Sequence, residues 1–228
     1  EIANGDWSSD VCSSDLGGEL MTGKQLDLCI NEIATGNREA LRQLYDEMKN
    51  PIFLFALSLV KNYQLAEDIE QETFLNIMQS ARNYRPGTNA KAWIFGIARN
   101  CCIDSIKANS KYVSTEIESL ASIPINDNDL ERVENTVVVL EAMKLLDNDE
   151  QMVVALYLFS GLKQTEIAKV LKIPYISVRS KYGYAIKKLK RYFTQKGVLT
   201  NENEQKDNRK FHEIRNESES PRTSMGRN

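Results

Sequence analysis

The chain has 228 residues, 27% of them charged, and a formal net charge of −3, with four cysteines and a single histidine. This length supports one or two small domains, and no apolar run approaches the ~20 residues that a membrane-spanning helix needs. His212 stands alone and no Cys-x-x-Cys occurs, so no metal site, cofactor or Ser/His/Asp-type catalytic set is expected. Cys12, Cys29, Cys101 and Cys102 read as buried structural thiols. The N-terminus lacks a basic n-region and an apolar h-region, which points to the cytoplasm.

In chain order, residues 1–20 repeat Ser-Ser-Asp without helical or strand period. They resemble translated sequencing-adapter sequence, so Met21 is taken as the start and this leader is set aside. Helical spacing begins with Leu26, Ile30, Ile33 and Ala34, then Ala40, Leu41, Leu44 and Met48. Asn50-Pro51 reads as a cap with proline at the first helical position, starting a helix to about Lys61. Another helix is expected over about Gln64 to Arg82, with Leu65, Ile69, Leu75 and Met78 toward the core. Arg85-Pro-Gly-Thr-Asn89 marks a loop, and a helix from Ala90 to about Lys107 closes a first domain over 25–108. Residues 109–130 read as a flexible linker. A second domain covers 131–193, with helical spacing through Val133, Val137, Leu140, Met143 and Leu146. Asp147-Asn-Asp-Glu150 has capping-box spacing, Gly161 ends the helix it starts, and helices at 164–171 and 175–193 follow. Residues 194–228 read as a disordered tail. The fold expected is all-α: two helical domains and a flexible linker, the second domain holding a helix-turn-helix.

Charge is segregated along this plan. Acids gather at Glu67–Glu72 and between Glu116 and Glu134, and bases between Lys163 and Arg191. A basic partner at one place and DNA at another fit this pattern. The acids and amides Glu67, Asp68, Glu70, Gln71 and Glu72 have no interleaved lysine and repel one another modestly. Tyr84, Trp93 and Phe95 lie near Arg82, Arg85, Lys91 and Arg99. Rings that stack on bases beside cations that hold phosphates suit single-stranded DNA, although Trp93 also fits a core position. Lysine and arginine near the start of a recognition helix reach base edges, and later ones neutralise phosphates.

Two segments, in this order, carry a resemblance. Leu65-Ala-Glu-Asp-Ile-Glu-Gln-Glu-Thr-Phe-Leu75 precedes Ala92-Trp-Ile-Phe-Gly-Ile-Ala-Arg-Asn100; Gln164-Thr-Glu-Ile-Ala-Lys-Val-Leu171 precedes Lys172-Ile-Pro and a basic helix. Over about residues 25–193 the chain resembles the extracytoplasmic-function sigma factors, small sigma subunits of bacterial RNA polymerase with a region 2 and a region 4 domain. The resemblance implies core-polymerase contact through Asp68, Gln71 and Glu72, facing the clamp helices of the largest subunit. It implies contact with the −10 promoter element through Tyr84, Arg99, Asn100 and Lys107, where a base is drawn out of the stack. It implies contact with the −35 element through Ser177, Arg179, Ser180, Lys181 and Tyr184. The partners implied are core RNA polymerase, including its flap, promoter DNA and an anti-sigma factor.

The chain departs from the family pattern at three places. Ile106-Lys-Ala-Asn-Ser-Lys111 has two lysines where an arginine cluster is usual. Gly183 and Tyr184 stand where a bulky residue and an arginine are common. Lys163 replaces a small hydroxyl cap, leaving Thr165 or a water to serve. Glu116, Glu118, Asp127 and Asp129 in the linker either mimic nucleic-acid charge in the polymerase channel or belong to a plain tether. The alternative reading of the whole chain is a stand-alone helix-turn-helix regulator, which leaves the acidic helix unexplained.

Overall fold

A computed structural model describes residues 21–108 and 138–197. The leader at 1–20, the linker with its acids at Glu116, Glu118, Asp127 and Asp129, the start of the helix near Val133 and the tail beyond Gly197 lie outside the described residues. Helix α1 (Gly23–Ala34) starts at a capping box: Thr22 Oγ1 accepts from the Gln25 N–H, and Gln25 Oε1 accepts from the Thr22 N–H at 2.7 Å. Asn37 caps α2 (Arg38–Val60) by accepting from the N–H groups of Glu39 and Ala40.

Helix α2 does not restart at Asn50-Pro51. It runs unbroken through Pro51. Proline in a helix interior removes one hydrogen bond and crowds the preceding turn, at roughly 3 kcal/mol. The buried positions explain why the helix persists. Ala40, Leu44, Met48, Ile52 and Ala56 recur every fourth residue across the proline, and Phe55 lies beside them. Breaking the helix there would pull one half of this stripe out of the core.

Lys61 turns the chain in a left-handed conformation (φ 57°), and Asn62 caps α3 (Tyr63–Ser80) by accepting from the Leu65 N–H at 2.8 Å. Leu75 and Met78 do not face the core; they are 56% and 47% exposed. The buried stripe is Ala66, Ile69, Thr73, Phe74 and Ile77. Thr73 sets this phase. Its hydroxyl donates to the Ile69 carbonyl at 2.7 Å, so a polar residue sits in the core without an unmet donor. A 3₁₀ turn (Ala81–Asn83) leads to the loop before α4 (Ala90–Ala108). Phe55 and Phe95 meet edge-to-face, 5.4 Å between centroids, at the centre of this four-helix unit.

In the second unit, residues 138–143 are helical and lead into α5 (Asn148–Ser160). The expected capping box is present: Asp147 accepts from the Glu150 N–H at 2.8 Å, and Glu150 accepts from the Asp147 N–H at 3.1 Å. Gly161 ends the helix at φ 66°, a conformation in which glycine avoids the Cβ clash of other residues. Helices α6 (Gln164–Leu171) and α7 (Tyr175–Gln195) form the helix-turn-helix, with Lys172 at φ 55° in the turn. Neither Thr165 nor the Lys163 side chain caps α6; instead Glu166 accepts from the Lys163 N–H at 2.8 Å.

The two units pack on one another. Helix α5 lies along α2, and α6 contacts α4. Gln151, itself buried, donates through Nε2 to the buried carbonyl of Ser58. Asn89 Nδ2 donates to Glu166 Oε1 at 2.6 Å. Glu150 is the most loaded group of the second unit. It closes the capping box and accepts from Lys188 Nζ at 2.6 Å. Glu150→Ala is expected to destabilise the protein by about 1–2 kcal/mol, read as a lower denaturation midpoint with an unchanged slope.

Candidate nucleic-acid and partner interfaces

Three surfaces hold the residues singled out from the sequence. The first is the outward face of α3. Asp68, Gln71 and Glu72 are exposed there, together with Leu75 and Met78. Their spacing of three and four places them on neighbouring turns. The rest of the acidic run turns inward. Glu70 is half-buried against Tyr45 and Lys49 of α2; burial raises its carboxyl pKa, while the Tyr45 hydrogen bond and the Lys49 charge oppose the shift. Glu67 lies beside Tyr63, whose phenol is raised by burial and then by that carboxylate. The run is therefore two sets: Glu70, which braces α3 on α2, with Glu67 held against Tyr63 of its own helix, and an acid–amide–apolar strip left open to a partner. Among the described residues, no cation pairs with Asp68 or Glu72.

The second surface is the loop before α4 and the exposed side of that helix. Tyr84 is only 6% exposed, and its ring packs on Trp93 with centroids 5.0 Å apart. Trp93 is half-buried, short of the core position its type suggests. The Tyr84 hydroxyl donates to Asp27 Oδ1 and lies 3.1 Å from the Thr88 carbonyl oxygen. Asp27 Oδ2 accepts from the Gly87 N–H at 3.2 Å. One carboxylate of α1 thus ties down the start and the middle of a loop some sixty residues away in sequence. The ring of Tyr84 braces this loop from below and offers no open face for a base. Sequence reasoning missed Asp27, because no local pattern distinguishes it from any polar residue on an amphipathic helix. It also missed Asn89, whose Oδ1 accepts from the Ala92 N–H at 2.9 Å while its Nδ2 reaches Glu166.

On α4 itself, Asn100, Asp104 and Lys107 share one exposed face at spacings of four and three. Lys107 Nζ stands 3.8 Å from Asp104, a loose surface pair of little energetic weight. Arg99 is half-buried. Its Nη1 reaches Asn100 Oδ1 at 3.4 Å, and its Nε is buried with no acceptor among the described residues.

The third surface is α7. Val178, Ala185 and Leu189 are its buried face. Arg179, Ser180, Lys187 and Arg191 are exposed, Tyr184 is 65% exposed, and Ser177 is half-buried. Lys181 lies beside the start of α5. It donates to Asp149 at 2.7 Å, and this hydrogen bond raises its pKa. Lys188 is likewise held by Glu150. The start of α5 therefore neutralises one flank of α7 and leaves Arg179, Lys187 and Arg191 as cations on the open side. Gly183 costs the helix about 1 kcal/mol relative to alanine, and a Cβ added there would meet nothing within 4 Å.

Among the described residues no cluster of His, Cys, Asp or Glu is arranged to hold a metal ion. No described helix is long and apolar enough to cross a membrane. Cys101 and Cys102 are buried and their thiols raised by burial, the behaviour of packing residues.

Comparison with known proteins matches residues 44–112 to the family model Sigma-70 region 2 and residues 142–191 to Sigma-70, region 4. The ECF RNA polymerase sigma factor SigM of Bacillus subtilis is 26% identical over 155 residues, 67% of this chain and 94% of that protein. The ECF RNA polymerase sigma factor SigL of Mycobacterium tuberculosis is 26% identical over 175 residues, 74% of this chain and 97% of its own. Among solved structures, CnrH bound to the cytosolic domain of CnrY aligns with a TM-score of 0.57 at 21% identity, covering 75% of this chain and 98% of CnrH. The sigma factor RpoE of Bartonella quintana, bound to the anti-sigma factor NepR, aligns with a TM-score of 0.56 at 22% identity, covering 67% and 96%. At these identities the structures establish a shared fold.

The Asp27 brace gives a titration test. Burial and then the Asp27 hydrogen bond push the Tyr84 phenol up to about 12 from its ordinary 10.0. A folded pKa above the unfolded one means that this stabilisation is complete below about pH 10 and declines as pH rises toward 12. Tyr182, buried beside Tyr157, is raised as well. Phenolate absorbance should therefore show one late-ionising tyrosine fewer in Tyr84→Phe than in the parent protein.

Proposed function

From a chain that belongs to the sigma-70 family, as a member of its extracytoplasmic-function group, we propose a division of labour among the three surfaces. The protein is an alternative sigma factor for transcription initiation; its partners are core RNA polymerase and promoter DNA. The exposed strip of α3 is the polymerase-docking face, with Asp68, Gln71 and Glu72 toward a basic surface. The braced loop at 84–89 and the α4 face with Asn100 and Lys107 engage the −10 element, and α7 engages the −35 element. Sigma factors act without catalysis of their own, so phosphodiester chemistry stays with the core enzyme. The protein works in the cytoplasm, and an anti-sigma factor, as NepR is to the Bartonella quintana RpoE, is a further partner.

The observation that carries this reading is the α3 strip. Leu75 and Met78 are bare apolar groups in water, and beside them Asp68 and Glu72, without a cation partner among the described residues, match a partner that brings apolar surface and cations. The −10 assignment rests on Asn100 and Arg99. The Asn100 amide has both a donor and an acceptor for a base edge, and the adjacent Arg99 guanidinium reaches it and brings a positive charge to the same face. Tyr84 enters this reading as the support of the loop, which keeps the site's geometry fixed before DNA arrives.

Two outcomes test it. Asp68→Lys with Glu72→Lys should weaken binding to core polymerase at least ~10-fold, because like charges across an interface cost several kcal/mol. Circular dichroism should stay unchanged; retained affinity in a pull-down would remove the docking assignment. Asn100→Ala should leave core binding intact and reduce permanganate reactivity of the melted strand; equal reactivity would refute the −10 assignment.

A further inference from the structure

The seam of α7 that points straight away from its buried face is uncharged at its start. At 100° per residue, the direction opposite Val178, Ala185 and Leu189 is occupied by Ile176, Ser180, Gly183 and Lys187. Ile176 is 65% exposed on the second residue of the helix. A lone surface isoleucine is ordinary. This one sits where a helix-turn-helix recognition helix presents side chains to base edges.

Gly183 supplies an independent observation. Its backbone is not in the left-handed region, and a Cβ there would meet nothing within 4 Å. Neither conformation nor internal packing asks for glycine, and glycine is the worst non-proline residue inside a helix. What remains is close approach from outside, which a bare Cα permits. Arg179, Lys187 and Arg191, exposed on the same side, give that approaching surface a negative charge.

We propose that this seam reads thymine: Ile176 covers the C5 methyl of a thymine in the major groove, and Gly183 lets a DNA strand close onto the helix. Isoleucine has no donor or acceptor for a base edge, and the thymine methyl is the apolar group that the major groove displays. Ser180, one turn further along the same seam, adds a hydroxyl that serves as donor or acceptor. Lys187 and Arg191 then hold phosphates, fixing register without sequence preference. Lys181, drawn to Asp149, does not compete for the same bases. The proposal rests on the reading that α7 docks on promoter DNA.

The test uses holoenzyme reconstituted from core polymerase and the full chain. A promoter library randomised across the −35 region is selected by binding, and each thymine of the selected sequence is then replaced singly by deoxyuridine. At one position the loss of the methyl should weaken binding about fourfold, the equivalent of one buried methylene. Ile176→Ser should erase that difference. Gly183→Ala should raise the thermal midpoint of the free protein and yet weaken promoter binding, a pairing that a purely structural glycine would not give. Uniform tolerance of deoxyuridine, or undiminished sensitivity in Ile176→Ser, overturns the thymine assignment. Arg179→Glu with Lys187→Glu separates the two levels. Unchanged selection by that variant overturns α7 docking itself; lost binding alongside silent deoxyuridine overturns thymine reading alone.

Discussion

The buried stripe of α2 is the constraint on which the remaining elements depend. It holds a helix together through Pro51 and gives α1, α3 and α4 a common surface to pack on. The same helix presents the Ser58 carbonyl to Gln151, so α5 is set against it as well. Helices α6 and α7 then take their places from α5. A hydrogen bond lost at proline is small beside the burial of Ile52, Phe55 and Ala56, each of which would otherwise leave the core.

This frame sorts charge by direction. On α3, alternate acids turn inward to tyrosines and outward to solvent within a single run. On α7, Lys181 and Lys188 turn back to Asp149 and Glu150, and Arg179, Lys187 and Arg191 stay open. A net charge of −3 therefore describes neither working face. The fields that a polymerase or a duplex meets are local and differ in sign.

Legibility from sequence followed the range of the interaction. The Asp147–Glu150 capping box, the left-handed Gly161 and the helix-turn-helix rest on contacts a few residues apart, and all were readable. What the sequence did not show involves tertiary partners. Asn50-Pro51 looks like a helix start until the stripe on both sides is seen to be buried. Leu75 and Met78 look like core until Thr73, satisfied by its own helix, claims the inward phase. Tyr84 suits a stacking role by type; Trp93 on the next helix and Asp27, distant in sequence, enclose it. Lys181 suits a DNA contact by position; the approach of α5 adds a surface ion pair with Asp149 that no local pattern shows.

The contact between Asn89 and Glu166 has a consequence in length. It brings the loop before α4 against the helix-turn-helix at 2.6 Å, whereas promoter elements at −10 and −35 are ~25 base pairs apart, or ~85 Å along B-form DNA. On the proposed reading, one duplex cannot engage both faces in this arrangement. The chain between Ala108 and Val138 spans at most ~100 Å when fully extended, just enough for the units to separate to that distance. The groups exposed on parting, an amide, a carboxylate and a backbone carbonyl, are ones that water hydrates readily. The buried apolar residues of the two units also form one continuous core, so opening this junction exposes apolar surface that contacts with polymerase and DNA must replace.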